Sequence, residues 1–421
     1  MNQINANVMS KKVAIIGGGI IGLCSAYYLA KEGNEVIVID KSDMLDGASY
    51  GNAGMIVPSH IIPLAQPGVI HQGIKWMFNA KSPFYIKPSI NTELINWLFK
   101  FYKNSNQKHV DNSMLHLKNL SFLSKELYQE FAKVSNQFLY EEKGLLMLFQ
   151  SEKVGEEEIK TARIAQRFGI EVDFLDKNGI KNLEKNTVVN AIGAVHYKSD
   201  AHLNPHFFLK FLKEELLKMN VELLPNTEIV NFKSTEKTIT EIITNKGNIK
   251  ADSFVVAAGS WSSKVVGKLG IKLSLLPGKG YSFNVSKQLN SPLIPSILCE
   301  GKVAVTPFNS TIRFGGTLEI TNTNDTQINS KRLGGIMDNI NNFYPELEIQ
   351  TPEKEKVWSG FRPCTPSGLP IIEKSNKFSN LIISTGHAMM GLSLAPATGK
   401  LVSELVADIQ TSIDISAFTN K

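Results

Sequence analysis

Residues 12–40 read KVAIIGGGIIGLCSAYYLAKEGNEVIVID, and this stretch decides the fold class. Its pattern predicts a buried strand over Val13–Ile16, a helix over Ile20–Lys31 and a second strand over Val36–Ile39. A G-x-G-x-x-G run lies between the first strand and the helix, and Asp40 follows the second strand. This order of elements is typical of a Rossmann-like dinucleotide-binding unit in an α/β protein. A glycine-rich turn in another kind of α/β protein is the alternative.

The residue types in this stretch suit a dinucleotide. Glycine at the first position permits the tight turn, at the second lets backbone approach a pyrophosphate, and at the third lets helix and strand pack closely. The free amides and positive dipole end of the helix favour phosphate, and an acid after the second strand suits a ribose hydroxyl. The predicted contacts are Gly17, Gly19, Ile20, Ile21, Gly22, Asp40 and Lys41. Their spacing alone does not distinguish FAD from NAD.

The overall composition is that of an ordinary globular protein of 421 residues with 43% hydrophobic residues. This excludes a fully disordered chain, collagen and a coiled coil, and the length suggests two or three domains. The three cysteines (Cys24, Cys299 and Cys364) are far apart and form no C-x-x-C pair. We therefore expect neither a disulfide framework nor a zinc site, and a cytoplasmic location. A secretory signal is not expected, since the first residues are polar.

Two further segments are informative. Residues 47–60, GASYGNAGMIVPSH, are rich in small residues and follow the acid directly. Residues 358–399, WSGFRPCTPSGLPIIEKSNKFSNLIISTGHAMMGLSLAPATG, carry one arginine among prolines, then a strand, a Gly-His pair and a helix. Four blocks, residues 13–40, 47–67, 255–262 and 358–399, make the chain resemble the D-amino acid oxidase-like superfamily of FAD-dependent oxidoreductases. It is most similar to the small-subunit-type D-amino acid dehydrogenases.

The resemblance implies that the cofactor is FAD, held without a covalent bond. Members that attach their flavin do so through a cysteine at the position of Gly360, whereas Cys364 lies four residues further on. The cofactor contacts that the resemblance adds come from the small-residue loop, from a middle segment that would hold the adenine, from the end of a buried strand and from the last helix. They are Ser49, Asn52, Ala53, Gly54, Met55, Val230, Ala258, Gly259, Gly391, Leu392 and Ser393.

Three residues are candidates for substrate chemistry. Arg362 is expected in a rigid, irregular loop, where a guanidinium suits bidentate capture of a carboxylate, the role of this arginine in the family. A structural salt bridge is the alternative. Tyr281 is a candidate substrate contact. An ordinary position on the surface of a β-rich domain is an equal alternative. His387 is a candidate base, because histidine titrates near neutrality, or else packs near the flavin.

The implied reaction is oxidative deamination of a D-amino acid to the 2-oxo acid and ammonia, by hydride transfer to flavin N5. The electrons would pass to a quinone or another acceptor. D-hydroxyproline or proline dehydrogenase and glycine or sarcosine oxidase are alternatives within the same superfamily. An NAD-dependent dehydrogenase and a non-catalytic flavoprotein are alternatives of other classes.

The middle of the chain does not predict a metal site. His202 and His206 are close in sequence, but Asn204 suits the N-cap and Pro205 the first position of a helix. His202 would precede this helix, so the two histidines are not a helical i, i+4 pair. Residues 152–167 are polar and are predicted to form a helical surface insertion.

We expect a discontinuous Rossmann-like FAD-binding domain and a second, substrate domain built on a mixed, mainly antiparallel sheet. The FAD-binding domain comprises residues 1–90, 195–272 and 355–421. The substrate domain comprises residues 91–194 and 273–354. The chain is expected to bind a small amino-acid substrate.

The net charge of +6 is concentrated in residues 71–110, which contain six lysines against one glutamate among eight aromatic residues. This charge is too small and too local for a nucleic-acid partner. Lysines interleaved with aromatics fit a peripheral contact with the inner face of the cell membrane and access to a membrane quinone. They also fit amphipathic helices packed on the substrate domain.

Overall fold

The computed structural model describes residues 10–87 and 91–420. Its helices alternate with strands along most of the chain, as expected for an α/β protein. The α-helices are α1 (Ile20–Lys31), α2 (Val69–Met77), α3 (Thr92–Asn104), α4 (Gln107–Val134), α5 (Glu152–Arg167), α6 (Lys177–Leu183), α7 (Pro205–Lys218), α8 (Ser262–Gly267), α9 (Ser330–Phe343) and α10 (Gly391–Val406).

The strands form two large sheets and two small ones. In chain order they are β1 (Lys12–Ile16), β2 (Glu35–Ile39), β3 (Met55–Ile56), β4 (Phe84–Ile86), β5 (Leu145–Phe149), β6 (Val172–Asp176), β7 (Gly193–Tyr197), β8 (Ala201–His202), β9 (Glu222–Leu224), β10 (Ile229–Ser234), β11 (Ile239–Thr244), β12 (Gly247–Lys250), β13 (Ser253–Val256), β14 (Leu276–Ser286), β15 (Ser296–Leu298), β16 (Val303–Pro307), β17 (Thr311–Ile320), β18 (Trp358–Cys364), β19 (Ile371–Lys374) and β20 (Leu381–Thr385).

The first large sheet is Rossmann-like. Its strand order is β19-β20-β13-β1-β2-β9, and every neighbouring pair is parallel except β19 with β20. The central strands are buried on both faces and therefore consist of continuous apolar runs, as parallel strands usually do. Helices α1, α4, α7 and α10 share one core with one face. The small β10–β11–β12 sheet and α8 cover the other face. The predicted fold class is confirmed.

The second large sheet is mixed and mainly antiparallel, also as predicted. Its strand order is β18-β14-β17-β16-β15-β5-β7-β6, with β4 added beside β17. Only the β15–β5 and β17–β4 pairs are parallel among the described residues. Helix α9 packs its apolar side onto this sheet.

The predicted domain boundaries remain a prediction. The strand pairing shows which segments of the chain belong to each of the two large sheets. Strand β18 follows the boundary at residue 355, yet it pairs along its length with β14 of the mixed sheet. Strands β4 and β7 also pair within that sheet. The chain therefore crosses between the two sheets at points that hydropathy does not mark.

The helix that was expected after Asn204 is present as α7. The Asn204 side chain accepts hydrogen bonds from the amides of His206 and Phe207, and Pro205 occupies the first turn. His202 is buried in β8, and its backbone pairs with Glu141. No cluster of three metal-ligating side chains occurs within residues 10–87 and 91–420. None of the helices in those ranges is long and apolar enough to cross a membrane.

Close packing of α1 on β1 depends on Gly22. A Cβ atom at this position would lie 1.8 Å from the carbonyl oxygen of Gly17, so backbone would have to move. We expect Gly22→Ala to lower the free energy of unfolding by at least about 1–3 kcal/mol, the usual cost of overpacking.

The matched control is Gly334→Ala in α9, where no heavy atom lies within 4 Å of the added Cβ. It should leave stability unchanged or raise it by up to about 1 kcal/mol, because alanine favours helix. Urea denaturation of both variants measures the difference. Equal stabilities would contradict the role of Gly22.

Candidate active site

A large cavity runs between the two sheets. Its volume is about 2500 Å³, well above the roughly 300–1,000 Å³ of a pocket for one small ligand. It begins where β1, β2 and β13 end, passes Arg362 and reaches α2 and α3. Ligands of open parallel sheets bind at the carboxyl ends of the strands. The size and position therefore fit a dinucleotide together with a second, smaller molecule.

Asp40 organises the nucleotide end of the cavity. Its carboxylate accepts hydrogen bonds from the Gly18 amide at 2.6 Å and from the amide and hydroxyl of Ser42 at 2.8 and 2.9 Å. These contacts fix the acid at the cavity wall and hold the glycine turn against the end of β2. Lys41 lies beside it, with its ammonium 3.8 Å from the ring centre of Trp261.

The small-residue loop that follows is held from several directions. The Ser49 hydroxyl accepts a hydrogen bond from the Ile20 amide at 3.1 Å, which joins the loop to the start of α1. The Ser393 hydroxyl accepts one from the Val57 amide at 2.9 Å, which joins it to α10. The Ser282 hydroxyl donates to the Gly51 carbonyl at 2.8 Å, which joins it to the mixed sheet. These three hydrogen bonds thus fix the loop in place as one wall of the cavity.

Arg313 holds this loop through two of its carbonyl oxygens. Its guanidinium donates to the carbonyl oxygens of Tyr50 and Asn52, at 3.1 and 2.7 Å, and to the Asn284 side chain. Burial lowers the pKa of Arg313 to about 10. The guanidinium is therefore still charged at neutral pH, and carbonyl dipoles offset its burial. Sequence analysis missed this residue, although an arginine inside the apolar, alternating strand β17 is an unusual placement.

The Arg362 side chain also lines the cavity, beyond the small-residue loop. Its guanidinium donates to the Thr317 carbonyl and lies across Gly280, where a Cβ would come within 2.4 Å of Cζ. No carboxylate within the described residues forms an ion pair with it. Burial lowers its pKa from the ordinary value. Arg362 therefore forms no structural salt bridge with the described residues, and its guanidinium is available for an anion.

The prediction that Arg362 lies in an irregular loop is wrong. It lies in β18, where Gly278 of β14 is its partner, and the irregular segment begins only after Cys364. Pro363 is tolerated because β18 is the edge strand of the mixed sheet, and proline lacks the donor that an inner strand needs. A strand fixes the direction of the side chain more firmly than a loop would.

Tyr281 and His387 both line the cavity, and protein partners occupy the Tyr281 hydroxyl and the Nε2 atom of His387. The Tyr281 hydroxyl donates to the Glu319 carboxylate and accepts from the Asn329 amide. The His387 Nε2 lies 3.0 Å from the Thr398 hydroxyl. Burial lowers the pKa of His387 to about 3, so its imidazole is neutral at physiological pH and would be a weak base. Their proposed roles stay predictions.

Most of the predicted contacts line this one cavity. Those that do so are Gly17, Gly19, Ile20, Ile21, Asp40, Lys41, Ser49, Asn52, Ala53, Met55, Ala258, Gly259, Tyr281, Arg362, His387, Gly391 and Leu392. Gly22 and Gly54 instead permit close packing behind the wall, and Ser393 holds the loop. Val230 is half exposed outside the cavity, with its carbonyl bonded to Lys268, whereas the preceding residues 227–229 line the wall.

The floor of the cavity is one register row across the mixed sheet. Ser282, Gly315, Ala304, Ile297 and Met147 pair in succession from β14 to β5, and all five line the cavity. With neighbouring strands about 4.8 Å apart, the row spans roughly 19 Å. Its residues are small near Arg362's side of the sheet and larger at the far end.

A family model described as FAD dependent oxidoreductase matches residues 12–405, nearly the whole chain. The chain belongs to this family of FAD-dependent oxidoreductases. The match decides between FAD and NAD in favour of FAD. It also confirms the enzyme class that was expected from the sequence.

Curated relatives cover the same length. A protein named D-amino acid dehydrogenase from Helicobacter pylori is 32% identical over 402 residues, which is 95% of this chain and 96% of that protein. A protein of the same name from Vibrio atlanticus (strain LGP32) is 32% identical over 414 residues, covering 96% and 97%. The resemblance that the motifs suggested is confirmed.

Solved structures share the fold at lower identity. Glycine oxidase from Geobacillus kaustophilus superposes with a TM-score of 0.77, 23% identity and 98% coverage of both chains. L-proline dehydrogenase from P. horikoshii gives a TM-score of 0.74 with 20% identity, covering 98% of this chain and 97% of that one. At this identity the comparison shows the architecture alone.

The residues described above fit FAD. Space above Gly19 is open, since a Cβ there would meet only the Ser49 hydroxyl at 3.8 Å, and the first turn of α1 offers amides without helical acceptors. Asp40 stands where a ribose is expected, and the small-residue loop leaves room for a flat ring. Cys364 does not line the cavity, and burial raises the pKa of its thiol to about 12, which fits non-covalent binding.

The geometry around Asp40 predicts its importance for the cofactor. Asp40→Ala leaves the Gly18 and Ser42 amides without their acceptor, at about 1–3 kcal/mol. We expect the Kd of the apoprotein for FAD to rise about 5- to 150-fold. Quenching of flavin fluorescence on titration measures it.

Asp43→Ala is the matched control, because Asp43 is exposed and only caps the local turn at Leu45. Its FAD affinity should equal that of the wild type. A tight FAD complex of Asp40→Ala would contradict the assigned role.

Proposed function

We propose that this protein oxidises D-amino acids to 2-oxo acids and ammonia and passes the electrons to an acceptor such as a quinone. The observation that carries the proposal is Arg362, a cation on the cavity wall without an ion-pair partner in the described chain, beside the wall that fits FAD. The names of the full-length relatives from Helicobacter pylori and Vibrio atlanticus support the D-amino acid substrate.

The residues of the cavity would act mainly by binding and orientation. Arg362 can capture the substrate carboxylate with two parallel hydrogen bonds, and strand β18 fixes the direction of that grip. Bound FAD supplies the two-electron acceptor for the Cα–H bond. The enclosing walls exclude water during oxidation and hold the substrate in one orientation. Hydrolysis of the released imino acid gives the 2-oxo acid and ammonia.

The substrate is tested by anaerobic reduction of the bound flavin. Addition of one of a panel of D-amino acids should bleach the yellow spectrum, whereas the L-enantiomers should not. Reduction only by glycine, sarcosine or a cyclic imino acid would replace the proposal with a sister activity. Absence of reduction by every amino acid would refute it.

Arg362→Ala should lose about 30- to 5,000-fold in the second-order rate of flavin reduction, the usual cost of removing one partner of a buried charged pair. Arg362→Lys should recover part of it, because lysine keeps the charge without the planar fork. Both variants should retain FAD. Unchanged reduction by Arg362→Ala would contradict carboxylate capture.

We further propose that α2 and α3 form the surface through which a membrane quinone reaches the cavity. Trp97 and Phe101 of α3 pack inward, and the Trp97 indole donates to the Cys364 carbonyl at 2.9 Å, next to Arg362. The other faces of the two helices, and the position just after α2, expose large apolar residues, and exposed lysines flank them. The apolar residues are Ile74, Phe78, Ile95, Leu98, Phe99 and Tyr102.

An amphipathic surface of this kind binds anionic lipid through both its apolar and its basic residues. We expect the pair Lys75→Gln and Lys103→Gln to weaken binding to anionic vesicles about 30-fold at low salt, at about 1 kcal/mol for each lysine. Vesicle sedimentation measures it.

Lys210→Gln, at an exposed position of α7, serves as the control and should bind as the wild type does. Lack of sedimentation of the wild type with anionic vesicles would refute the membrane surface. It would leave the proposed reaction intact.

A further inference from the structure

Arg362 reaches its position in the cavity by crossing a neighbouring strand. It belongs to β18, yet its guanidinium donates to the Thr317 carbonyl of β17, and β14 lies between these two strands. The crossing point is Gly280, because a Cβ there would lie 2.4 Å from Cζ and Nη2 and 2.6 Å from Nη1. Since these three distances are nearly equal, the guanidinium lies flat over Gly280.

The crossing explains why position 280 is a glycine. The φ angle of Gly280 is not positive, so the backbone of β14 at this point could be formed by any residue. The three heavy atoms nearest to an added Cβ all belong to the Arg362 guanidinium, which is the end of a flexible side chain. An alanine would therefore displace the guanidinium and leave the strand in place.

Strand β17 contains a β-bulge opposite Gly280. The register of β14 against β17 shifts by one residue between Lys279 and Tyr281. Two residues of β17, Thr317 and Leu318, therefore face Gly280 alone. The extra residue of a bulge is left out of the ladder, so its carbonyl can accept a hydrogen bond from outside the ladder. The Thr317 carbonyl accepts from the guanidinium in this way.

Thr317 is the extra residue of the two. Gly316 faces α9, Leu318 packs with residues of α3, and Glu319 faces α9 again. Side chains alternate between the faces of a strand, and this order alternates only when Thr317 is left out of the count. Its φ of 63° is rare for a β-branched residue, and its hydroxyl is buried without a hydrogen-bond partner in the described chain. Such a costly residue persists where the surrounding structure imposes it.

We propose that Gly280 and the bulge at Thr317 are positioning features for carboxylate capture. This inference rests on the proposed oxidation of an amino acid held by Arg362. The Thr317 carbonyl engages Nη1, whereas Nε and Nη2 have no hydrogen-bond partner within residues 10–87 and 91–420. The edge formed by Nε and Nη2 carries two parallel N–H groups, which suit the two oxygens of a carboxylate. Gly280 and Thr317 thus fix the edge that binds the substrate, and with it the orientation of the Cα–H bond.

Acetate tests the anchor without turnover, because it has a carboxylate but no amine to be oxidised. Titration of the holoenzyme, followed by the absorption of the bound flavin, measures the Kd for acetate. Arg362→Ala should lose acetate binding. Gly280→Ala should raise the Kd about 2- to 10-fold, the cost of ordering one flexible side chain on binding. A wild type that does not bind acetate would overturn the proposal.

Reduction of the bound flavin by a D-amino acid measures the alignment of the substrate. Gly280→Ala should lower the limiting rate of reduction about 100-fold, the effect of a displacement of about 1 Å. The Kd for the amino acid should rise only as the Kd for acetate does, because the displaced guanidinium can still pair with a carboxylate. A merely structural role of Gly280 would lower stability and FAD content and would not separate these two constants.

A double-mutant cycle assigns this effect to Arg362. In the Arg362→Ala background, Gly280→Ala should change neither constant further, since no guanidinium is left to displace. A 100-fold loss that persists in this background would overturn the positioning role.

Deletion of Thr317 tests the bulge from the other strand. It leaves Leu318 opposite Gly280 and restores regular alternation, so we expect a folded protein that binds FAD. It also removes the carbonyl that accepts from Arg362, so the limiting rate should fall as in Gly280→Ala. A folded deletion variant with the wild-type rate would overturn the proposal. If the deletion variant does not fold, the double-mutant cycle decides the matter alone.

Gly301→Ala is the matched control. An added Cβ there would lie 2.2 to 2.4 Å from three side-chain atoms of Asn339, again the polar end of a side chain, and Gly301 lies outside the cavity lining. Both constants should keep their wild-type values in this variant. Wild-type constants in Gly280→Ala would overturn the proposal. Failure of every amino acid to reduce the wild type would instead refute the proposed function, and the acetate titration would still test Gly280.

Discussion

The hydrogen bonds from Arg313 to the carbonyls of Tyr50 and Asn52 join the two halves of this molecule. Arg313 belongs to the mixed sheet, whereas the loop continues from the parallel sheet. Loop backbone in a buried place needs partners for its polar groups, and side chains of the mixed sheet supply them here. One buried guanidinium satisfies two carbonyls at once, and its charge is offset in return. The shape of the cavity between the sheets depends on this arrangement.

The loop also shows why the cofactor half and the substrate half form one site. Its first residues contact the start of α1, its middle contacts the mixed sheet, and its end contacts α10 and Asp200. A displacement of any of these elements would be transmitted to the wall shared by both ligands. Sequence variation in the loop is therefore constrained by four distant parts of the chain.

Local features of the chain could be predicted from sequence because local physics determines them. Periodicity and flanking residues predict the bounds of α1 and α5, and Asn204 with Pro205 predicts the start of α7. The structure has these elements as expected. The strand at Arg362 could not be predicted, because its prolines indicate a loop unless the edge position in the sheet is known. Arg313 was missed because its partners, Tyr50 and Asn52, lie far away in sequence. The adenine contact expected at Val230 depends on which residues of β10 and the preceding turn face inward, and hydropathy does not resolve a shift of one residue.

The register row beneath the cavity can set the size of the molecule that the cavity accepts. Successive residues of the row, Ser282, Gly315, Ala304, Ile297 and Met147, lie on neighbouring strands. The side chain of each one sets the depth of the cavity above its own strand. A larger side chain at one position of the row would shorten the part of the cavity open to a ligand. It would leave Arg362 at the other end undisturbed. Members of a family built on this sheet can therefore diverge in the size of the molecule they accept while keeping the same anchor and the same cofactor.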